Sequence, residues 1–374
     1  MPLELFFDLV FVLAITQCTT LMSQKTTWAG VGEGILVLAL LWWSWVGYAW
    51  LTSVLDPEEG AIRIVLFCAM ASFLIAAICV PESFGGLATE FALAYAAVRV
   101  AHIALFLLAS RDDPAFRRSV LGLAMGTGLG VALLIGGSFL DTGGQAALWS
   151  LALVFDMGEP YLFGAEGWRL VPGHFAERHG LIVIIALGES IVAIGVGAGS
   201  SLTWGIAGAA VLGITVIAAM WWTYFDIVAL VSARRLADAP EGRVRNELAR
   251  DSYSFIHFPM VAGIILFALG LKKTLGHVDD SLDAVPAFAL LGGVAIYLLG
   301  LVAFRYRHVH SLNRRRLALA IVLFALIPAA LALPSIAILA VLAILIWSLI
   351  VVETRGYGEN RARVRHGDEF PAAR

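Results

Sequence analysis

Long apolar stretches recur along the whole length of this 374-residue chain. Each is long enough to cross the roughly 30 Å hydrocarbon core of a bilayer as a single helix. Hydrophobic residues make up 60% of the chain and charged residues only 14%, whereas soluble domains carry about 25% charged residues. The sequence therefore predicts an all-α, polytopic membrane protein whose partner is the lipid bilayer.

Twelve stretches predict twelve transmembrane helices, which we number as spans 1 to 12. They cover residues 3–22, 33–53, 62–80, 87–109, 119–139, 146–164, 180–199, 206–231, 254–271, 285–304, 317–333 and 336–352.

The basic residues predict the orientation of these spans. With the N-terminus inside, 21 of the 25 Lys and Arg residues are cytoplasmic, Lys25, Lys272 and Lys273 are outside, and Arg99 lies within span 4. Lys and Arg concentrate in cytoplasmic loops, so we predict that both termini are cytoplasmic. Because short basic loops between spans are the ordinary topology signal, we predict no nucleic-acid partner.

Four short matches recur in the same order in the two halves of the chain. They pair residues 42–44 with 221–223, 91–93 with 288–290, 117–118 with 314–315, and 149–151 with 347–349, at offsets of 179, 197, 197 and 198. We predict two parallel six-helix repeats, residues 1–164 and 165–352, followed by a basic cytoplasmic tail at 353–374. Their pseudo-two-fold axis either carries a substrate path or serves packing alone.

Ionisable residues at membrane depth are the candidate functional residues, because each costs roughly 2.5–3.5 kcal/mol to insert. They are Asp8, Arg99, His102, Asp156, Glu159, Glu189, Asp226 and His257, with Glu4 one turn before the first of them.

Arg99 and Glu189 are opposite charges at matching depth. At a rise of 1.5 Å per residue they lie about 15 Å and 13 Å from the cytoplasmic edge, so we predict that they pair. The pair either lies on an ion path or only fixes the packing of helices. His102 shares the face of Arg99 and is either a group that titrates near neutral pH or a hydrogen-bonded core residue.

Two helix faces combine a few polar points with apolar residues. Glu4 and Asp8 share one face of span 1, and Arg178 and Glu189 share one face of span 7. Such faces suit a narrow path with a hydrophobic constriction, or two packed helices with capped ends. Asp8 could also complement the positive N-terminus of its own helix.

Asp156 and Glu159 stand three residues apart on one face of span 6. They predict either a site for a cation or proton, or an interfacial pair balanced by Arg169 or Arg178. Both interpretations are compatible with the spacing.

Glycines in span 5 favour close helix packing. Gly122, Gly126 and Gly130 form two overlapping Gly-x-x-x-Gly units, in which small residues let helix backbones approach each other.

The sequence contains none of the common hydrolase, metalloprotease or nucleotide-binding motifs. We therefore predict that the protein is not an enzyme and needs no cofactor. The three cysteines, Cys18, Cys68 and Cys79, lie inside predicted helices and lack metal-site spacing.

Two motifs resemble a known family. Residues 3–12, LELFFDLVFV, and residues 177–190, ERHGLIVIIALGES, are similar to the signatures of the bacterial low temperature requirement A family. The resemblance covers essentially the whole chain and implies a multi-pass protein of the bacterial inner (plasma) membrane. Members usually carry basic residues before the first motif, whereas this sequence begins Met1-Pro2.

A shorter stretch is similar to the first helix of the potassium channels built from two sets of six helices. It comprises residues 7–11 and 14–16, although Phe7 stands where those channels have serine. In them the first and seventh helices line the pore. This likeness favours a passive ion channel, or a secondary transporter, with a path along helices 1 and 7 for a small cation or proton.

The alternative is a non-transporting membrane scaffold or sensor whose buried charges are structural. The sequence leaves homo-oligomer formation open.

Overall fold

The computed structural model describes residues 2–55, 60–162, 168–199 and 202–366. Every regular element within these ranges is helical, and they contain no β-strand. The prediction of an all-α protein is confirmed for this part of the chain.

Seven helices make up the first half of the chain. They are α1 Pro2–Gln24, α2 Trp28–Leu51, α3 Gly60–Cys79, α4 Ala88–Ala109, α5 Pro114–Gly137, α6 Thr142–Leu162 and α7 Pro172–Ala198.

Nine helices follow in the second half. They are α8 Trp204–Phe225, α9 Val228–Asp238, α10 Arg243–Ala249, α11 His257–Gly276, α12 Ala284–Ala287, α13 Gly293–Val309, α14 Arg314–Ala325, α15 Ile327–Ala330 and α16 Ser335–His366. Short π-helical segments, Arg250–Ile256 and Phe288–Gly292, lead into α11 and α13.

Ten helices or continuous helical runs among the described residues are long and apolar enough to cross a membrane. The transmembrane character of the chain is therefore confirmed. The predicted spans 6 and 11 are not among the ten, because α6 falls short of these criteria and span 11 is divided between α14 and α15. Pro328 lies at the second position of α15, where proline begins a helix but cannot continue one. The number of twelve stays a prediction.

The chain forms two compact units. The first unit contains Met1–Arg178 and Ala239–Arg250, and the second contains His179–Asp238 and Asp251–Arg374. α7 contributes to both, since the division falls immediately after Arg178. The last helix continues through His366, which includes much of the predicted tail.

In the first unit, aromatic side chains fix α1 against α2 and α3. The Phe7 ring lies 4.7 Å from that of Tyr48 and 5.7 Å from that of Phe73, measured between centroids. Phe11 lies 5.9 Å from Trp45 in the same way. These contacts turn one face of α1 towards the core, and that face also carries its two acids.

Glycines let helix backbones approach within each unit. In the second unit, a Cβ on Gly263 of α11 would lie 2.6 Å from the carbonyl oxygen of Gly293 at the start of α13. In the first unit, a Cβ on Gly130 of α5 would lie 3.3 Å from the Ala152 oxygen of α6. The close packing predicted from the glycines of span 5 is confirmed at Gly130.

Candidate functional site

Asp8 lies near the start of α1, and only 2% of the residue is exposed. Its Oδ1 accepts hydrogen bonds from Trp45 Nε1 of α2 and from Arg178 Nη2 of α7, each at 2.7 Å. One carboxylate oxygen therefore joins three helices of the first unit.

Glu4 lies one turn before Asp8 on the same face of α1, and it is 4% exposed. Its Oε2 is 2.8 Å from His174 Nε2, and its Oε1 is 3.6 Å from Arg178 Nη1. We call Glu4, Asp8, Trp45, His174 and Arg178 the Arg178 cluster.

The guanidinium group of Arg178 lies between the two carboxylates. Its Cζ is 5.4 Å from the centroid of the Trp45 ring, a cation–π distance. Its Nη1 also donates to Thr52 Oγ1 at 3.0 Å. Charges of opposite sign thus compensate one another inside the cluster, which offsets part of the cost of burying them.

A cavity of about 10 Å³ adjoins the Arg178 cluster. Its wall includes Glu4 and Arg178, together with Tyr48 and Thr52 of α2. This volume is close to the minimum that holds one water molecule. Asp8 Oδ2 is buried as well and has no hydrogen-bond partner among the described residues.

Arg99 on α4 is the centre of a second buried network and is 1% exposed. Its Nη2 donates to Asp156 Oδ1 of α6 and to Thr127 Oγ1 of α5, each at 2.7 Å. Thr127 Oγ1 donates to the same carboxylate oxygen at 2.9 Å, and Tyr95 Oη approaches Asp156 Oδ2 at 3.4 Å. The network therefore connects α4, α5 and α6.

The prediction that Arg99 pairs with Glu189 is wrong, because Asp156 supplies the carboxylate. Asp156 is in turn balanced by Arg99, whereas Arg178, one of its predicted partners, binds Asp8. Matching depth gave the wrong partner for two physical reasons. The long stem of arginine carries its charge away from its own backbone, and depth does not specify which helices are neighbours.

His102 is packed in the core beside Arg99. Its ring lies 5.3 Å from that of Tyr48 and 4.8 Å from that of Phe106. A Cβ on Gly47 of α2 would lie 2.7 Å from His102 Cε1. Glycine at that position therefore allows α2 to pack directly against the imidazole.

Glu189 lies in the part of α7 that belongs to the second unit, and it is buried. It interacts electrostatically with Lys272 of α11. The side chain of Glu159, the other acid predicted on span 6, lies outside the described residues.

The second unit contains a buried ion pair that the sequence did not predict. Arg316 Nε and Nη2 of α14 donate to the two carboxylate oxygens of Glu353 on α16, at 3.0 and 2.9 Å. Asn313 Nδ2 donates to Glu353 at 2.7 Å, and its Oδ1 accepts from two backbone N–H groups that begin α14. Arg316 also donates to the backbone oxygen of Thr223 on α8 at 3.0 Å. The pair joins three helices of the second unit.

His257 is a core residue. It is fully buried at the start of α11. Its Nε2 lies 2.9 Å from Tyr224 Oη, and its Nδ1 lies 3.0 Å from the Ser252 oxygen. The ring stacks on that of Tyr253 at 5.0 Å between centroids.

A family model of the bacterial low temperature requirement A proteins matches residues 1–352. The chain belongs to this family. The resemblance carried by the two motifs is thereby confirmed. An uncharacterized protein of Rhizobium meliloti (strain 1021) is 33% identical over 309 residues, which cover 79% of this chain and 75% of that protein. No solved structure matches the chain.

In this low temperature requirement A protein, the two motifs meet in the Arg178 cluster. Residues 3–12 supply both acids, and residues 177–190 supply the arginine. The sequence did contain a signal for this contact that our predictions missed. Acids at positions 4 and 8 and basic residues at 174 and 178 share a four-residue spacing, which places each pair on one face of its helix.

Proposed function

We propose that this protein passes a small cation, a proton or an alkali metal ion, across the bacterial inner membrane. It does so as a passive, gated ion channel or as a secondary transporter. The path runs along α1 and α7 and begins at the Arg178 cluster. The observation that carries this proposal is the pair of buried carboxylates held by one arginine near the start of a membrane-length helix.

The chemistry of the cluster supports an ion path. Ionisable residues inside a membrane are costly and rare, and they mark ion pathways and proton relays. Asp8 in addition keeps one buried carboxylate oxygen without a hydrogen-bond partner among the described residues. A buried carboxylate oxygen without a hydrogen bond is a candidate contact for a passing cation or proton.

The size of the adjoining cavity supports a gated path. At about 10 Å³ it is far too small for a continuous column of water. Phe7 and Tyr48 line it, and their rings are in contact. A channel gate or an occluded transporter has this form, in which conduction requires the helices to move.

We further propose twelve spans arranged as two parallel six-helix repeats, with both termini cytoplasmic. Asp156 and Glu353 follow the matched Trp-Ser-Leu runs, and each pairs with an arginine of its own unit. Trp149 and Trp347 of these runs each donate, at 3.0 Å, to a backbone oxygen of another helix in the same unit. The matched positions of the tryptophans and acids support a duplication, although their partners lie on helices that do not correspond between the two repeats.

Asp8, Glu4 and Glu189 are the main polar points of the proposed path. Its further polar points are Arg99, His102, Asp156 and Glu159. This function requires no catalytic residue and no cofactor.

Reconstitution into liposomes tests the proposal. Purified protein is compared with empty liposomes for the flux of protons, Na⁺ and K⁺ down imposed gradients. Asp8→Asn and Glu189→Gln remove a charge while nearly preserving shape, and Asp112→Asn, at an exposed loop position, is the matched control. We expect cation flux from wild type and the control, with a loss of about tenfold or more in the two path variants.

Flux equal to that of empty liposomes for all three ions would overturn the transport function. It would favour the alternative, a non-transporting scaffold or sensor. One observation favours that alternative: the Arg99–Asp156 network satisfies its charges within the first unit, as a purely structural brace would.

A further inference from the structure

His174 is the most exposed member of the Arg178 cluster. Its side chain is 24% exposed, whereas those of Glu4, Asp8 and Arg178 are each 3% exposed. Its Nε2 lies 2.8 Å from Glu4 Oε2. A proton exchanged with water at this imidazole is therefore one hydrogen bond away from a buried carboxylate.

The start of α7 holds this imidazole in place. Pro172 is the first residue of the helix, a position that proline favours. The ring of Phe175 is fully buried and lies 5.0 Å from that of Trp50 on α2. His174 and Arg178 are four residues apart, so both face the acids of α1.

The charged and titratable groups around His174 come from three helices. They include Glu4, which contacts the imidazole, with Asp8 on α1, Tyr48 on α2 and Arg178 in the adjoining cluster and cavity, and the exposed Glu177 on α7. The imidazole is 24% exposed, whereas its partner Glu4 is 3% exposed.

The geometry also discriminates between cations. In the described conformation the cavity of about 10 Å³ has no room for a hydrated alkali metal ion, and its wall includes the cationic guanidinium of Arg178. A proton needs no such space, because it moves along a hydrogen bond between two atoms already 2.8 Å apart. Imidazole is the side chain that gains and loses a proton near neutral pH.

We propose that the cation is the proton and that His174 is the site at which it enters, an inference that rests on the proposed function. Protonated His174 donates its Nε2 proton to Glu4 Oε2, which leaves a neutral imidazole and a neutral carboxylic acid; the step is uphill because Arg178 stabilises the Glu4 carboxylate. The imidazole then takes the next proton from water. Once Glu4 is neutral, its attraction to Arg178 at 3.6 Å is lost, and one of the two ion pairs between α1 and the start of α7 is weakened, while Asp8 keeps the other.

Proton uptake into liposomes that contain a pH-sensitive dye tests the inference. His174→Gln removes the imidazole, and His174→Arg keeps a donor to Glu4 but cannot release its proton. The control is His277→Gln, an exposed histidine in the second unit. Gel-filtration profiles and thermal unfolding establish that each variant is folded.

We expect both His174 variants to lose about tenfold or more of the proton flux, while His277→Gln keeps the wild-type rate. Wild-type proton flux in a folded His174→Gln or His174→Arg variant would overturn the inference. A wild-type protein that carries Na⁺ or K⁺ but no protons would overturn it too, yet leave the proposed function standing. Absence of flux for all three ions would remove both.

Discussion

Replacing Arg178 by glutamine tests how the Arg178 cluster is held. The guanidinium donates to Asp8 Oδ1 at 2.7 Å and lies 3.6 Å from Glu4 Oε1, and all three side chains are 3% exposed. Removing one partner of a buried ion pair costs about 3–5 kcal/mol, because the remaining charge is left uncompensated. We expect Arg178→Gln to lower the free energy of unfolding by that amount. Glutamine retains an amide donor, so the loss reports mainly the missing charge.

Unfolding in mixed detergent micelles, followed by tryptophan fluorescence, measures this effect, since Trp45 lies beside the guanidinium. Adding Asp8→Asn to Arg178→Gln removes an orphaned charge and should recover a substantial part of the loss. Arg243→Gln, at an exposed arginine, should unfold like wild type. A loss in Arg178→Gln no larger than the roughly 1 kcal/mol of an ordinary interhelical hydrogen bond would refute this reasoning. An Asp8→Asn substitution that restores none of the lost unfolding free energy would refute it as well.

Three further predictions concern buried contacts within the two units. Arg99→Gln should lower the free energy of unfolding by about 3–5 kcal/mol. Adding Asp156→Asn in the same chain should restore part of that loss. A double variant that unfolds no later than Arg99→Gln in the same micelle assay would contradict this prediction. Gly263→Val places a side chain against the α13 backbone, so we expect this variant to misfold and to lose the single symmetric gel-filtration peak of a folded protein. Gly32→Val, with open space at its Cβ, should elute like wild type. Trp45→Phe removes the indole donor to the α1 carboxylate and should cost about 1 kcal/mol; an unchanged unfolding midpoint would count against that hydrogen bond.

Helix positions follow from the sequence where apolar length alone decides them. The predicted span 4, residues 87–109, agrees closely with α4, Ala88–Ala109. A single apolar run of membrane length can satisfy its backbone hydrogen bonds within itself only as a helix. Residues 317–333 also read as one apolar span, yet helix α14 ends at Ala325 and Pro328 lies in a separate helix. Mean hydropathy measures how apolar a segment is, and it carries no information about the backbone N–H that proline lacks.

The chemistry of the candidate site follows from the sequence, but its pairing does not. Asp8, Arg99 and Asp156 were singled out as costly charges, and all three are buried and paired. Helical periodicity assigns a residue to a face of its own helix, whereas its partner depends on which helices pack together. Arg178 shares a predicted face with Glu189 but binds the acids of α1.

Cation flux through liposomes that contain Asp8→Asn, set beside wild type and Asp112→Asn, tests the central claim most directly. The buried carboxylate of α1 lies on the path that we propose, and the exposed one does not. We predict flux above that of empty liposomes for wild type and Asp112→Asn, and a loss of about tenfold or more for a folded Asp8→Asn. Equal flux from all three proteins, or flux from none of them, would contradict the claim that the Arg178 cluster opens a cation path.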